Sequence, residues 1–306
     1  MYKLIVLTTF LALTNSAMAC FEQPNGQPAK LVIPLQEPTK LVHNQFFLTL
    51  LPQILAVTEE EFGPCELAFY KQPLSSARVA AYLNQNKVIG LNWASASSER
   101  DKQLRAIKIP LLKGLMGHRI LLLKKDNKDL LKNVKTVEDL KPFVFGLGES
   151  WPDTYILKYN GLKITTAAHY DLLFKMLDAG RYDLLSRGYS EALPELELHS
   201  DKDITYDEHI VLIYPLPVYF YVSPKNPELA KRIEKGLITL VNNGQFDKLF
   251  YNSPDIAQSL AVLNFEQRTK IYLCNTYIPV GAQLDNPALW HFPNKVDTCN
   301  VNTIKR

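Results

Sequence analysis

Charge of one sign is what this sequence most lacks. Its 306 residues carry 34 Lys and Arg against 31 Asp and Glu, a formal charge of +3, and no basic run exceeds two residues. That balance excludes a nucleic-acid-binding face as the main business of the chain. The 13 Gly and 19 Pro are scattered, which excludes a collagen-like repeat or a glycine linker. The six His residues at 43, 118, 169, 199, 209 and 291 fall in neither HxH nor HExxH spacing, so metal ligation has no support. There is no GxSxG elbow, no P-loop and no GxGxxG, since Gly146-Leu147-Gly148 lacks the third glycine. The run Glu59-Glu60-Glu61 reads as a solvated helix end. No cofactor and no enzyme chemistry are indicated.

What is present is an ordinary globular composition, 47% apolar and 21% charged, at a length that suits two domains or one two-lobed domain. Residues 1–19 have the form of a secretory signal: Lys3, then the apolar Leu4 to Leu13, then Ala17-Met18-Ala19 before the cleavage point. That apolar run is far shorter than the roughly 20 residues of a membrane span. The expected location is therefore the periplasm. Four cysteines, Cys20, Cys65, Cys274 and Cys299, agree with export. Three pairings are possible, and Cys20–Cys65 with Cys274–Cys299 is favoured because each joins segments expected to be close. A lipidated Cys20 is the competing reading, disfavoured by Ala17 at position −3 and by the unpaired Cys65 it would leave.

Periodicity sets out alternating strands and helices. Strands are expected at Lys30 to Ile33, Cys65 to Tyr70, Lys87 to Trp93, Ile107 to Pro110 and His118 to Leu123. Helices are expected at His43 to Phe62, kinked by Pro52, and at Ser75 to Leu83. A second series follows: helix Val137 to Leu140, strand Val144 to Leu147, helix Thr154 to Tyr159, strand Lys163 to Thr166, helix His169 to Ala179, strand Tyr182 to Leu185, and a helix Tyr189 to Leu198 broken by Pro194. Strands His209 to Tyr214 and Val218 to Val222 precede a long helix after Pro227 that ends at Asn243-Gly244. Beyond Phe250 the pattern weakens into a tail. Such alternation predicts α/β architecture with parallel sheets.

The run Trp93-Ala94-Ser95 through Ser98-Glu99-Arg100, ending at Ile109-Pro110, resembles the Thr-x-x-Arg segment of family 3 extracytoplasmic solute-binding proteins, the polar amino acid receptors of ABC importers. Four more blocks stand in that family's order: TVEDLKPFVFGLGESW (136–151), YDLLFKMLDAGRYDLL (170–185), YPLPVYFYVSP (214–224) and NPELAKRIEKGLITLVNNGQFDKLF (226–250). Together they cover roughly residues 30–250.

The resemblance implies the two-lobed, type 2 periplasmic binding protein-like fold, with two parallel-dominated sheets joined by two crossover strands and ligand in the cleft. Lobe 1 would take residues 20–112 and 216–252, lobe 2 residues 113–215, and residues 253–306 a C-terminal extension stapled by a disulfide. It places Arg100 where the family clamps a ligand carboxylate, a task suited to a planar guanidinium fork. Ser95 belongs to the same block. Trp93 and Trp151 fall at C-terminal strand ends, where open α/β sheets bind ligands. Ser150 and Trp151 open a helix with Pro152 in its first turn, a place for an anion or simply for an N-cap. The family's ammonium-binding aspartate is replaced by Gly188, so either Glu191 substitutes or the ligand is not an ordinary α-amino acid. Arg187 beside Arg100 would suit a ligand with more than one acidic group. The expected protein is a monomer that binds a small polar, anionic solute and delivers it to ABC importer membrane subunits. A membrane sensor as partner, and a dehydratase on the same fold, are the alternatives.

Overall fold

The computed structural model describes residues 19–21, 29–34, 38–291 and 299. The expected signal segment lies outside these residues except for Ala19. Lobe 1 begins with β1 (Lys30–Ile33), α1 (Pro38–Val57), the short α2 (Glu59–Phe62), β2 (Glu66–Phe69), α3 (Ser76–Gln85), β3 (Leu91–Ser95), α4 (Ser98–Gln103) and β4 (Arg105–Ile107). Lobe 2 holds β5 (His118–Lys124), α5 (Val137–Leu140), β6 (Val144–Gly148), α6 (Pro152–Tyr159), β7 (Lys163–Ala167), α7 (Tyr170–Asp178), β8 (Leu184–Gly188), α8 (Ala192–Leu198), β9 (Ile204–Tyr206) and β10 (Ile210–Ile213). The chain returns through β11 (Val218–Val222), α9 (Pro227–Asn242) and α10 (Gln245–Tyr251), then adds α11 (Pro254–Val262) and β12 (Thr269–Tyr272). Among the described residues no helix is long and apolar enough to cross a membrane.

The sheets are mixed instead of parallel-dominated. β1 and β2 pair in parallel, as do β6 with β7 and with β8. The strands on either side of the inter-lobe passages, β5 and β11, run antiparallel to their neighbours: β5 against β8, β9 and β10, and β11 against β3 and β4. A chain that leaves one lobe and re-enters it must reverse direction there, which the local βα pattern does not reveal. The crossovers themselves are irregular segments, 108–117 and 214–217, not strands. They lie side by side, Leu111 N–H donating to Val218 O at 2.9 Å and Tyr214 N–H to Gly117 O at 3.0 Å. A Cβ at Gly117 would stand 1.9 Å from that Tyr214 carbonyl, so only glycine permits the approach.

The largest apolar core is continuous from α1 and α9 to α7 and α8, and a second lies within the lobe 2 sheet. α1 packs Phe46, Leu50, Leu51 and Ile54 against α9 residues Ile233, Leu237 and Leu240, all essentially inaccessible. In lobe 2, Leu121 and Leu123 of β5 meet Phe145 and Leu147 of β6 on one face. Pro52 lies within α1, which continues to Val57. Pro194 does not break α8 but sits in its first turn, where its missing N–H has no helical partner to lose. The expected tail is a folded strap. α11 lies on α8, and β12 extends the lobe 2 sheet beside β10. The chain then returns to the crossover segment 108–117, where Trp290 is buried against Gly114. Disulfides join Cys20 to Cys65 and Cys274 to Cys299.

Candidate functional site

Three cavities share lining residues where the lobes face each other. One of about 310 Å³ lies against lobe 1, beside Asn44, Trp93, Arg100 and Tyr221. A second of about 250 Å³ faces lobe 2, bounded by Arg119, Trp151, Asp153, Tyr170, Arg187 and Glu191, with Ser95 across from them. The third, about 540 Å³, forms the mouth between Leu74 to Ser76 of lobe 1 and Ser150, Trp151 and His169 of lobe 2. Asn44 borders the first two, Leu74 and Ser76 the first and third, and Trp151 and Tyr170 the second and third. They are compartments of one cleft at the C-terminal ends of β3, β6 and β8, the place where open α/β sheets take ligands.

The lobe 1 wall carries one unneutralised cation. Ser97 caps α4, its hydroxyl accepting the Arg100 N–H at 3.2 Å. Arg100 therefore projects from the first turn; its guanidinium donates to the Ser95 carbonyl and lies 5.6 Å over the Tyr221 ring. No carboxylate pairs with Arg100 among the described residues. Trp93 stacks on Phe47 at 4.8 Å, and its indole N–H donates to Asn44 Oδ1 at 2.9 Å.

The lobe 2 wall is a closed charge network. Arg187, on buried β8, forms a two-pronged pair with Glu195 of α8, both N–O distances 2.5 Å, and reaches Glu191 at 3.0 Å. Its plane lies 4.6 Å from the Trp151 ring. Burial alone lowers the pKa of Arg187, but Glu191 and Glu195 outweigh burial and raise it above the ordinary arginine value. Glu195 is fully buried and also accepts the Tyr170 hydroxyl at 2.6 Å. Burial, and then Glu195, hold that phenol well above its usual pKa. Arg119, at the start of β5, stands 3.4 Å from Asp153 and 3.9 Å from Glu191. It also donates to the Ser186 carbonyl at 2.8 Å and the Met116 carbonyl at 3.0 Å. Asp153 accepts the Tyr214 hydroxyl at 2.5 Å. Among the described residues, three carboxylates thus face two guanidiniums in this wall.

Gly188 explains how Glu191 comes to line the cleft. The Glu191 carboxylate folds back to accept the Gly188 N–H at 2.8 Å, and a Cβ at Gly188 would stand 2.9 Å from the same oxygen. A larger residue at 188 would displace the acid.

Of the residues singled out from sequence, the structure brings Ser95, Trp151, Arg187 and Glu191 to the second cavity, with Trp93 and Arg100 at the first and Ser150 at the mouth. Two expectations change. Arg187 does not offer a free charge to a ligand, because Glu195 and Glu191 take it. Ser150 is exposed and is not the N-cap; that position belongs to Trp151. Sequence reasoning missed Arg119, Glu195, Tyr170 and Asn44. An arginine inside the apolar run HRILLL was the available signal for Arg119; nothing local marks the other three.

The chain matches no protein-family profile and no curated protein. Solved structures do resemble it. An ancestral arginine-binding protein bound to arginine aligns over 68% of this chain and 87% of its own, with a TM-score of 0.52 at 20% identity. An ancestral amino acid-binding protein, described as a precursor of cyclohexadienyl dehydratase, aligns over 72% and 93%, with a TM-score of 0.53 at 19% identity. A histidine kinase sensor domain with similarity to periplasmic binding proteins aligns over 67% and 83%, with a TM-score of 0.52 at 15% identity. The chain has the α/β, two-lobed fold of the periplasmic binding proteins.

Proposed function

We propose that this protein is a periplasmic receptor that binds a small zwitterionic solute of the amino acid type between its lobes and delivers it to an ABC importer. The observation that carries the reading is the contrast between the cleft walls: Arg100, with no carboxylate partner among the described residues, on one, and the carboxylates of Asp153 and Glu191 bordering the cavity on the other. Arg100 would hold the ligand carboxylate through charge-assisted hydrogen bonds. Glu191, seated over Gly188, would hold the ammonium. The preference for an anionic ligand that rested on Arg187 is not carried forward, since Arg187 is already neutralised. Neighbours bound to arginine and to glutamine support the amino acid class. The two disulfides suit an oxidising compartment. Binding is favoured over catalysis because Asp153 and Glu195 are tied to Arg119, Tyr214, Arg187 and Tyr170 and are not poised towards the cavity as free acids.

A membrane sensor in place of the importer is the second reading. What favours it is the strap, which touches both lobes and so presents a surface that changes with closure. Uptake of the radiolabelled solute is lost in cells without this protein under the first reading and retained under the second.

The deciding experiment is a fluorescence titration of wild type and Arg100→Ala with a panel of L-amino acids. Removing the guanidinium should cost on the order of 2–5 kcal/mol, a loss of affinity of about thirtyfold or more. Equal affinity in the two proteins would remove Arg100 as the anchor.

A further inference from the structure

The strap approaches the proposed anchor from the other lobe. Directly after β12, the Asn160 side chain of lobe 2 grips Cys274 at both backbone groups: Cys274 N–H donates to Oδ1 at 2.9 Å, and Cys274 O accepts from Nδ2 at 2.8 Å. The Asn275 side chain then donates to the Pro215 carbonyl of the return connector at 2.7 Å and accepts the Tyr277 N–H at 2.9 Å. Tyr277 donates its hydroxyl to Asp101 Oδ2 at 2.8 Å. The other oxygen of Asp101 accepts the Tyr221 hydroxyl at 2.7 Å, and the Tyr221 ring is the one that Arg100 covers. A few residues therefore lead from the edge of the lobe 2 sheet, across the connector, to the immediate neighbour of Arg100.

α4 has only six residues, too short to hold its own shape without tertiary support. Two phenol hydroxyls fasten its Asp101, so they orient the turn from which Arg100 projects. We propose that Tyr277 is a positioning residue for Arg100, which it aims at the cleft through Asp101 and ties to the edge of lobe 2. This rests on the reading of Arg100 as the anchor. Tyr277 borders none of the three cleft cavities, so its effect on a ligand has to pass through Asp101.

Tyr277→Phe keeps the ring and deletes the hydroxyl. Two readouts test it: the side-chain Nε–Hε resonance of Arg100 in ligand-free ¹⁵N-labelled protein, assigned by its absence in Arg100→Lys, and titration with L-arginine and with L-glutamine. The Arg100 resonance should move while that of Arg187 stays. Affinity should fall about tenfold, the scale of one hydrogen bond to a charged group. Tyr272→Phe, an exposed hydroxyl on the same strap, should change neither readout. An unmoved Arg100 resonance in Tyr277→Phe overturns the proposal without reference to any ligand. If the resonance stays and affinity holds while Arg100→Ala still weakens binding, the anchor survives and Tyr277 is only structural. If the resonance moves but Arg100→Ala binds as tightly as wild type, it is the anchor that fails, and the positioning role fails with it.

Discussion

The two walls of the cleft treat charge in opposite ways. Lobe 2 gathers Arg119, Arg187, Asp153, Glu191 and Glu195 into one network in which nearly every charge already has a partner. Lobe 1 offers a single guanidinium, Arg100, leaning on an aromatic ring and a backbone carbonyl. The difference follows from burial. Arg187 and Glu195 lie almost wholly out of water, where an unpaired charge costs several kcal/mol, so the protein must supply both signs itself. Arg100 is only half-buried and stays hydrated until a ligand arrives. A pre-paired wall contributes rigidity; an unpaired one is where binding energy can be gained.

The strongest way to break this comparison is to open the lobe 2 network. Glu195→Gln leaves Arg187 buried beside only Glu191, and unfolding in urea should show a loss of about 3 to 5 kcal/mol. A loss well under 1 kcal/mol would mean that water reaches Arg187 and that the two walls do not differ in kind. Next in size is the staple at the root of the strap, beside the edge of lobe 2. The Cys274–Cys299 bridge spans a separation of 25 residues, worth about 3 to 4 kcal/mol by the chain-entropy argument. The double Ser variant should lose that stability, and it should disturb Arg100 more than Arg187, because the strap carrying Tyr277 is the part released. Mass spectrometry after non-reducing digestion checks the pairing itself; free thiols at both positions would end the argument.

A third probe sits between the walls. His118 starts β5 at the connector, its Nδ1 3.0 Å from the Gly114 carbonyl, with His291 nearby and Lys113 beyond. Burial pushes its pKa down to about 4. The unfolded chain takes up a proton near pH 6.5, the folded chain only near 4, so folding is penalised as pH falls through that window and is indifferent above it. The loss should total about 3 kcal/mol between those limits. His118→Gln should flatten the slope of unfolding free energy against pH; an unchanged slope would assign the acid sensitivity elsewhere.

How much of this could be read from the chain depends on which forces are local. β1, β5, β6 and α9 follow from apolar spacing and caps such as Asn226, whose side chain accepts the Leu229 N–H at 3.1 Å. β3 starts at Leu91, four residues later than the apolar run that begins at Lys87, because Asn86 and Val88 both take left-handed φ values, 57° and 68°. β8 starts at Leu184 because the Tyr182 ring is drawn under Gly146, its hydroxyl on the Leu173 carbonyl at 2.5 Å. β12 was invisible: its four residues become a strand only by pairing with β10, far away in sequence. The site divides the same way. Arg100 and Glu191 lie in recognisable local runs, whereas Glu195 gains its meaning only when α8 folds back onto β8.

The smallest expected effect separates the two tryptophans, which sequence position alone would treat alike. Both border the cleft, yet Trp93 is already engaged: its indole N–H is spent on Asn44, and its ring is sandwiched near Phe47 and Phe220. A ligand entering beside it changes its surroundings little. Trp151 separates the second cavity from the mouth, half-buried, with the Arg187 guanidinium over its face. Closure there removes water from the indole and alters how the cation sits against it, so the emission change on binding should belong to Trp151. Trp290 is buried in the strap and serves as a constant background. Each of Trp93→Phe and Trp151→Phe should cost about 1 kcal/mol or less, the scale of one ring contact or cation–π pair, leaving both variants folded. Titrated with the same amino acid, Trp93→Phe should keep most of the wild-type change in emission and Trp151→Phe should lose it. The reverse result would mean that the ligand settles against lobe 1 first, and that the charge-paired wall is the one that closes over it.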